Sequence, residues 1–225
     1  MFVAGKIIVV EGTDCSGKET QTKLLEQSLK ELGIDCIRFE FPMYDTPTGK
    51  IVGGDYLGKP EIGPSLFEEG AVQVDPYVVC LYYAADRKYN MPKILKYLDQ
   101  DYFVILDRYI TSNLAHQGSK IKDKEERFHM YQWIDKLEYW LLDLPKPDET
   151  LFLHVPYEYS LELRKNRTNI DEHEKSPEHL QQAEKAYLEL AELYHWDTIE
   201  CVRDNTLRSI EDIHEEIVQK IKKMI

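Results

Sequence analysis

The chain has 225 residues, of which 43% are hydrophobic and 31% are charged, as is ordinary for a globular protein with one sizeable core. The formal net charge of −13 argues against non-specific nucleic-acid binding through a basic face. A nucleotide is not excluded by this charge, because it needs only a local positive pocket.

The N-terminus leads directly into a predicted strand, without a basic and then apolar leader segment. No apolar run approaches the length of a membrane span. The four cysteines lack metal-like spacing, so we expect reduced thiols. These features predict a cytoplasmic protein with neither a membrane nor a nucleic-acid partner.

The first predicted strand ends in a glycine-rich loop. Ile7 to Val10 form an apolar, mostly β-branched run that is typical of a strand buried on both faces. Gly12, four further residues, Gly17 and Lys18 have the spacing of a phosphate-binding loop, and an amphipathic helix follows. Loop N–H groups, the helix N-terminus and the lysine would together bind nucleotide phosphates. The residues predicted for this role are Gly12, Thr13, Asp14, Cys15, Ser16, Gly17, Lys18, Glu19 and Thr20.

One position departs from the loop pattern. A Ser or Thr is expected after the lysine, because its hydroxyl binds Mg²⁺. This chain has Glu19 there, followed by Thr20. A carboxylate is a possible Mg²⁺ ligand. The alternative is that Glu19 turns to solvent and water completes the metal shell.

A second strand is predicted from Ile34 to Phe41, with Pro42 ending it. Residues 42–75 are rich in Gly, Pro and Tyr, which fits either a binding segment or a plain surface loop.

Two helices are predicted next, over residues 76–90 and 91–100. Tyr83 and Arg87 are four residues apart and therefore share a helical face. A ring with a nearby guanidinium would hold a base by stacking and hydrogen bonding. Core packing is the other interpretation of these residues.

The third strand, residues 102–106, is followed by Asp107-Arg108-Tyr109. An acid at the carboxyl end of a buried strand lies where open α/β sheets bind ligands. Beside a phosphate loop, Asp107 is a candidate metal-side carboxylate and Arg108 an anion clamp. A strand-end salt bridge is the alternative. Ser112, Asn113 and Gln117 follow on a predicted helix.

The remaining chain predicts a long helix through residues 128–141, a fourth strand over 149–155, a helix over 177–196, a fifth strand over 198–202 and a last helix. Arg164, Lys165 and Arg167 form the densest positive cluster in the acidic chain. They would close over a transferred phosphoryl group as a lid, or else form a basic helix end.

In order and spacing, these motifs resemble the thymidylate kinases, within the P-loop nucleoside-monophosphate kinase group. The matching segments are Gly12-Thr13-Asp14, Phe41-Pro42, Tyr83-Ala84-Ala85-Asp86-Arg87, Asp107-Arg108-Tyr109 with Ser112, Leu144-Pro-Lys-Pro-Asp148, the predicted lid, and Ser209-Ile-Glu-Asp-Ile-His.

The resemblance implies a single α/β domain over residues 1–225, with a three-layer P-loop kinase fold. Its five-stranded parallel sheet would be flanked by helices, and the chain would form a homodimer. The phosphate loop would span 12–20, the acceptor-binding region 41–117 and the lid about 164–178. The implied activity is that of a dTMP kinase, which transfers the γ-phosphoryl group of ATP to dTMP with Mg²⁺ and so serves dTTP synthesis.

The resemblance also implies residue roles. Catalysis would rest on Lys18, Asp107, Arg108, Arg164 and Arg167. The ATP site would add Arg203, Asp204 and Asn205 near the adenine to the phosphate loop. The acceptor would be bound by Asp14, Phe41, Pro42, Tyr83, Arg87, Arg108, Ser112, Asn113, Gln117 and His173. Mg²⁺ would be held by Glu19 and Asp107.

Three departures from the family pattern leave alternatives open. After Phe41-Pro42 the chain has Met43-Tyr44 instead of an obvious basic residue, and Lys50 is a candidate to supply that charge. His173 stands where many members have an aromatic residue near the sugar, and Glu19 replaces the usual hydroxyl residue. The alternatives are a kinase for a related pyrimidine deoxynucleotide, or a weakly active or non-catalytic nucleotide-binding paralogue.

Overall fold

The computed structural model describes residues 5–164 and 176–225. The strands are β1 (Lys6–Gly12), β2 (Cys36–Glu40), β3 (Phe103–Asp107), β4 (Glu149–His154), β5 (Asp197–Glu200), β6 (Val202–Arg203) and β7 (Thr206–Leu207). The α-helices are α1 (Lys18–Glu31), α2 (Pro47–Lys50), α3 (Pro76–Leu98), α4 (Ile110–Gly118), α5 (Lys124–Asp135), α6 (Tyr157–Arg164), α7 (Pro177–Leu193) and α8 (Ile210–Ile221). Two π-helices, Ile51–Tyr56 and Lys136–Leu141, continue α2 and α5, and a 3₁₀ turn, Lys222–Met224, follows α8.

The main sheet has five strands in the order β2-β3-β1-β4-β5. Every neighbouring pair is parallel, and β1 is the central strand. Because β1 and β3 are parallel neighbours, the loops that follow them lie side by side at the carboxyl end of the sheet. Open α/β sheets bind ligands at the carboxyl ends of their strands.

Alternating residues of the strands supply two separate cores. Ile7 and Val9 of β1 pack beneath α3, α4, α5 and α7 on one face of the sheet. Ile8 and Val10 point to the other face, where α1 and α8 cover them. Because both faces are buried, the strands are almost continuously apolar, as expected for a parallel sheet. This arrangement confirms the predicted three-layer α/β fold.

Several predicted boundaries differ from the structure. The two helices predicted over 76–90 and 91–100 form one helix, α3, with Pro92 inside it. Met91 and Ile94 are buried against the sheet on either side of the proline, and this packing offsets the lost backbone hydrogen bond. The predicted fifth strand, 198–202, is instead β5 followed by a small antiparallel hairpin, β6 and β7.

The segment over residues 42–75 forms a small core of its own. After the cis Phe41–Pro42 peptide bond it enters α2 and the π-helix. Val52, Tyr56 and Val74 are buried together, and Val79 of α3 joins them. The segment is therefore a folded layer over α3 and not a plain surface loop. Among the described residues, no helix combines the length and apolar character needed to cross a membrane.

Candidate active site

The loop between β1 and α1 has the backbone of a phosphate cradle. Gly17 adopts a φ of 84° and Cys15 a φ of 66°, both in the left-handed region. A Cβ atom on Gly12 would lie 2.7 Å from the carbonyl oxygen of Leu153 in β4, so only glycine fits there. Turning the chain in this way directs consecutive N–H groups towards one point in front of α1.

Lys18 begins α1 and folds back over the loop. Its Nζ donates to the carbonyl oxygens of Gly12 (2.9 Å) and Thr13 (2.8 Å). Burial, together with the nearby positive charge of Arg108, lowers the pKa of Lys18 to about 8, against the opposing effect of acidic neighbours. A bound phosphate would reverse this imbalance, because an anion favours the charged ammonium.

Glu19 and Thr20 follow on the first turn of α1 and are both exposed. The Glu19 carboxylate forms an ion pair with Lys23 at 2.6 Å, one turn along the same helix, and its side chain is 62% exposed. Both residues line a cleft that lies in front of the phosphate loop. In this arrangement Glu19 is directed along the helix surface and not into the phosphate cradle.

Arg108 lies just after β3 and is held from several sides. Its φ of 65° is unusual for a residue with a side chain. Its guanidinium forms a salt bridge with Asp14 of the phosphate loop. The same group also donates to Ser112 Oγ (3.3 Å), Tyr187 OH (3.3 Å) and His116 Nε2 (3.4 Å). Burial alone would lower the pKa of Arg108, but the Asp14 charge keeps it well above its usual value.

Glu11, which the sequence analysis overlooked, organises this region from below. It is completely buried near the end of β1. Its carboxylate accepts hydrogen bonds from the Tyr109 backbone N–H (3.0 Å), Ser112 Oγ (2.7 Å) and Tyr187 OH (3.0 Å), and also from the Thr111 hydroxyl. The sequence signal that could have identified Glu11 is an acid at the end of an apolar strand, since a buried charge requires such partners.

The predicted acceptor residues that the structure describes all line one cavity beside Arg108. They are Asp14, Phe41, Pro42, Tyr83, Arg87, Arg108, Ser112, Asn113 and Gln117. The remaining predicted acceptor residue, His173, lies outside the described residues. The cavity wall also contains residues that were not predicted, namely Tyr44, Leu57, Tyr109 and His116.

The far end of this cavity carries polar atoms without protein partners among the described residues. Gln117 is completely buried, and neither its Nε2 nor its Oε1 has a hydrogen-bond partner. The Oδ1 atom of Asn113, one helical turn earlier, is also buried and unpaired. Such groups are costly unless something satisfies them, so a polar ligand edge is expected here.

Arg87 is more deeply buried than the sequence suggested, at 1% exposed. Its Nε and Nη2 donate to the two carboxylate oxygens of Glu138 at 2.5 Å. Its Nη1 approaches the Tyr109 carbonyl oxygen at 3.4 Å, and its guanidinium lies 5.9 Å from the ring centroid of Tyr83. Most donors of Arg87 are therefore engaged within the protein.

A second, larger cleft lies in front of the phosphate loop, with a volume of about 600 Å³. It is lined by Lys18 and by Asp107, which ends β3 and is 7% exposed. Asp107 Oδ2 lies 3.8 Å from Arg38 Nη1, so the predicted strand-end salt bridge is present although long. The cleft shares Asp14 and Arg108 with the acceptor cavity. The two spaces therefore meet at the salt bridge between Asp14 and Arg108.

The other predicted residues lie further away or outside the described ranges. Arg203 ends β6, Asp204 and Asn205 form the turn that leads into β7, and all three residues are exposed. Asp204 and Asn205 have φ angles of 51° and 56°. Arg164 is the last residue of α6, and its neighbour Leu163 lines the phosphate-side cleft. Arg167 and most of the predicted lid fall within residues 165–175.

A phosphate loop at the end of a central parallel strand, facing an arginine and an acid from the neighbouring strand, defines a P-loop phosphotransferase. Comparison with known proteins narrows this class. Residues 10–217 match the family model for thymidylate kinase. The chain belongs to the thymidylate kinase family.

Relatives from distant organisms agree along almost the whole chain. A probable thymidylate kinase from Pyrococcus abyssi is 32% identical, covering 97% of this chain and 96% of its own. The thymidylate kinase of Plasmodium falciparum is 30% identical over 98% of this chain and 91% of its own. The solved structure of the Candida albicans thymidylate kinase is 26% identical and superimposes with a TM-score of 0.72, covering 98% of this chain and 92% of that one.

Proposed function

We propose that this chain transfers the γ-phosphoryl group of ATP to dTMP, producing ADP and dTDP. The observation that carries the proposal is the junction of the two cavities at Asp14 and Arg108. A nucleoside monophosphate in one cavity and the ATP phosphates in the other would meet there. Phosphoryl transfer requires this in-line approach of acceptor and donor phosphates.

On the donor side, Lys18 and the loop N–H groups would hold the β- and γ-phosphates. In this structure the Lys18 ammonium donates hydrogen bonds to two carbonyl oxygens of the loop. Exchange of these contacts for phosphate oxygens replaces neutral acceptors by charged ones, and charge-assisted hydrogen bonds are the stronger kind. The exposed turn Arg203 to Asn205 would border the adenine.

On the acceptor side, Gln117 matches the chemistry of a thymine edge. Thymine offers an N–H donor beside a carbonyl acceptor, and a carboxamide offers the complementary pair. Both amide atoms of Gln117 lack a protein partner in the described structure. Tyr83 would stack on the ring, and Arg108 would hold the monophosphate.

The described residues fit a magnesium ion held mainly by the nucleotide. No group of three or more His, Cys, Asp or Glu side chains in the described ranges is arranged to hold a metal. Mg²⁺ at phosphotransfer sites is typically bound by one or two carboxylates together with substrate phosphates and water. Asp107 would supply a carboxylate from inside the cleft, and Glu19 is the other candidate. When bound, the ion would neutralise charge on the transferring phosphoryl group.

Catalysis would then come from alignment and charge stabilisation. The acceptor phosphate is already anionic near neutral pH, so no strong general base is required. Lys18 and Arg108 would stabilise charge on the transferring group, and Glu11 would keep Arg108 in place through Ser112 and Tyr187. Arg164 and Arg167 would add positive charge as the lid closes and excludes water.

Association into a homodimer also belongs to this proposal. Leu81 is 51% exposed and Val78 42% exposed on α3, while Trp140 and Leu141 are 72% and 60% exposed. Large apolar side chains grouped on a surface commonly mark a protein contact. A cytoplasmic location stays a prediction.

Release of ADP from ATP and Mg²⁺ tests the activity, measured with and without dTMP and then with dUMP, dCMP, dGMP and UMP. We expect release that depends on dTMP and exceeds that with every other acceptor. Equal turnover of purine monophosphates would contradict the pyrimidine assignment. ATP binding without release for any acceptor would contradict the kinase activity itself.

A further inference from the structure

Lys120 lies two residues beyond α4, the helix that carries Ser112, Asn113, His116 and Gln117 of the acceptor cavity. Its backbone N–H donates to the Gln117 carbonyl oxygen at 3.2 Å. The end of α4 is closely packed, because a Cβ atom on Gly118 would lie 2.3 Å from Cε1 of the buried Tyr131 ring. Lys120 therefore extends from a fixed point on the α4 side of the cavity.

The ammonium of Lys120 reaches the folded layer over residues 42–75. Its Nζ donates to the carbonyl oxygens of Val74 (3.1 Å) and Ala71 (3.2 Å) and lies 3.5 Å from the Tyr56 hydroxyl oxygen. The Tyr56 hydroxyl itself donates to the Ala71 carbonyl oxygen at 2.9 Å. An ammonium has three donors, and all three have acceptors here. These contacts join the turn that leads into α3 to the end of α4.

Tyr56 connects this cluster to the acceptor cavity. Its side chain is completely buried, and its ring meets the Tyr83 ring edge to face, with centroids 6.1 Å apart and an interplanar angle of 84°. Phe67 packs against the same Tyr56 ring at 6.0 Å. Tyr83 lines the cavity, where it would stack on the base. The Tyr83 ring is therefore placed by Tyr56, whose hydroxyl belongs to the Lys120 cluster.

Burial of the Lys120 ammonium has a cost. It lowers the pKa of Lys120 to about 8, against the opposing effects of Cys80 in α3 and of Asp75, which caps that helix. On the side of α7, the Lys120 charge adds to the effect of burial in lowering the pKa of His179. An apolar side chain would avoid this desolvation cost. A charge kept beside a cavity at such a cost is typical of a functional site.

Resting on the proposed function, we propose that Lys120 is a positioning residue for the acceptor base. It ties the layer over residues 42–75 to α4 and, through Tyr56, sets the distance between the Tyr83 ring and the α4 side of the cavity. The base would lie between these two walls, so a shift of either wall loosens its contacts. Lys120 is not among the described residues that line the cavity, so it acts on the base only through its neighbours.

The test measures binding of dTMP and of thymidine, which lacks the phosphate, to the full chain by calorimetry. We expect Lys120→Met to weaken both by about threefold to tenfold, the range for loss of an aromatic contact. The KM for dTMP should rise by the same factor with kcat and the KM for ATP unchanged, because the base contact is equal in the ground and transition states. Lys120→Arg, which keeps the charge and the donors, should recover most of the affinity. Lys122→Met, at an exposed position nearby, should bind both ligands like the natural chain.

A double-variant cycle with Tyr83→Leu separates positioning from a merely structural role. In the Tyr83→Leu background, Lys120→Met should weaken thymidine binding by less than about twofold, because the ring through which it acts is absent. Tyr56→Phe keeps the ring beside Tyr83 and removes only the hydroxyl that Lys120 reaches. It should weaken thymidine binding by about twofold, and it carries the test if Lys120→Met does not fold.

Three results would overturn the inference alone. Weakening of dTMP binding without weakening of thymidine binding would show that the Lys120 charge acts on the phosphate. An undiminished effect of Lys120→Met in the Tyr83→Leu background would show that Lys120 does not act through that ring. Unchanged thymidine affinity in Lys120→Met, or in Tyr56→Phe where only that variant folds, would remove Lys120 from base binding. A natural chain that binds neither dTMP nor thymidine would instead overturn the proposed function and this inference with it.

Discussion

Arg87 and Glu138 form a buried ion pair, in which Nε and Nη2 of the arginine meet the two carboxylate oxygens at 2.5 Å. The two side chains are 2% and 0% exposed. Glu138 also accepts from Asn113 Nδ2 at 3.2 Å. One carboxylate in the core therefore orients two residues that line the acceptor cavity. Glu138 belongs to the π-helix Lys136–Leu141, so the ion pair connects that helix to the wall of the acceptor cavity.

Loss of the Glu138 charge should damage both stability and substrate binding. We expect Glu138→Gln to lower the free energy of unfolding by about 3 kcal/mol, because it leaves the buried Arg87 charge without a counter-ion. Binding of dTMP should weaken as Asn113 and Arg87 lose their anchor. Urea denaturation and dTMP titration measure the two effects.

The double variant Glu138→Leu with Arg87→Met is the control for this pair. Replacement of both charges by apolar side chains is often neutral, so it should recover most of the lost stability. It should not recover dTMP binding. A double variant that is as unstable as Glu138→Gln would show that the ion pair is not the cause.

Gln117 should show opposite effects on stability and on binding. Because both amide atoms are buried and unpaired within the described structure, Gln117→Leu removes two unsatisfied groups. We expect the free energy of unfolding to stay equal or rise by about 1 kcal/mol. The affinity for dTMP should fall about tenfold, from the loss of the hydrogen bonds to the base.

Thermal unfolding and dTMP titration check this pair of effects, with Gln132→Leu as the control. Gln132 is exposed on α5 and lines neither cavity, so it should change neither quantity by a measurable amount. A clear loss of stability in Gln117→Leu would mean that the amide has partners in solution and is not reserved for a ligand.

The sequence was most informative where chemistry is tied to local spacing. The phosphate loop and Asp107-Arg108 are contiguous motifs at strand ends. Because the strands are parallel, their carboxyl ends lie on the same side of the sheet. The continuous apolar runs of the strands predicted a sheet that helices cover on both faces, because such strands have no side chains facing solvent. The predicted acceptor residues that the structure describes line one cavity because β1, β3, α3 and α4 meet at the carboxyl end of the sheet.

Sequence was least informative where partners are distant along the chain. Glu138 is 51 residues from Arg87, and Tyr187 is 176 residues from Glu11. No local pattern marks such pairs, since each residue alone resembles an ordinary helix position. The sequence predicts two helices over 76–90 and 91–100 where the structure has the single helix α3, because local propensity omits the packing that maintains the helix through Pro92.

A buried histidine pair should make stability depend on pH. His116 Nδ1 and His179 Nε2 lie 3.4 Å apart, and the rings stack at 5.6 Å. Burial lowers the pKa of His179 to about 4 and that of His116 well below its usual value. Below about pH 6.5 these two histidines therefore bind protons in the unfolded chain that they do not bind in the folded chain. The contribution of His179 to stability should fall as the pH decreases from about 6.5 to 4 and then level off, and His116 should lower stability in the same direction.

Substitution of His179 isolates its share of this dependence. We expect the His179→Gln variant to lose less stability than the natural chain over that pH range, by a difference of about 3 kcal/mol. Denaturant unfolding at half-unit pH steps measures it. His129→Gln, at an exposed position of α5, should follow the natural curve. Parallel curves for the natural chain and His179→Gln would show that His179 is solvated and titrates normally.

Glu19 should prove tolerated and not required. Its carboxylate pairs with Lys23 on the helix surface, and Glu26 pairs with Lys30 at the same spacing two turns further along α1. We expect Glu19→Ser to keep or raise kcat, to leave the Mg²⁺ dependence no weaker, and to change the free energy of unfolding by at most about 0.5 kcal/mol. Glu26→Ser controls for loss of such a pair away from the phosphate loop. A fall in kcat with a changed preference between Mg²⁺ and Mn²⁺, seen in Glu19→Ser but not in Glu26→Ser, would instead make Glu19 a metal ligand.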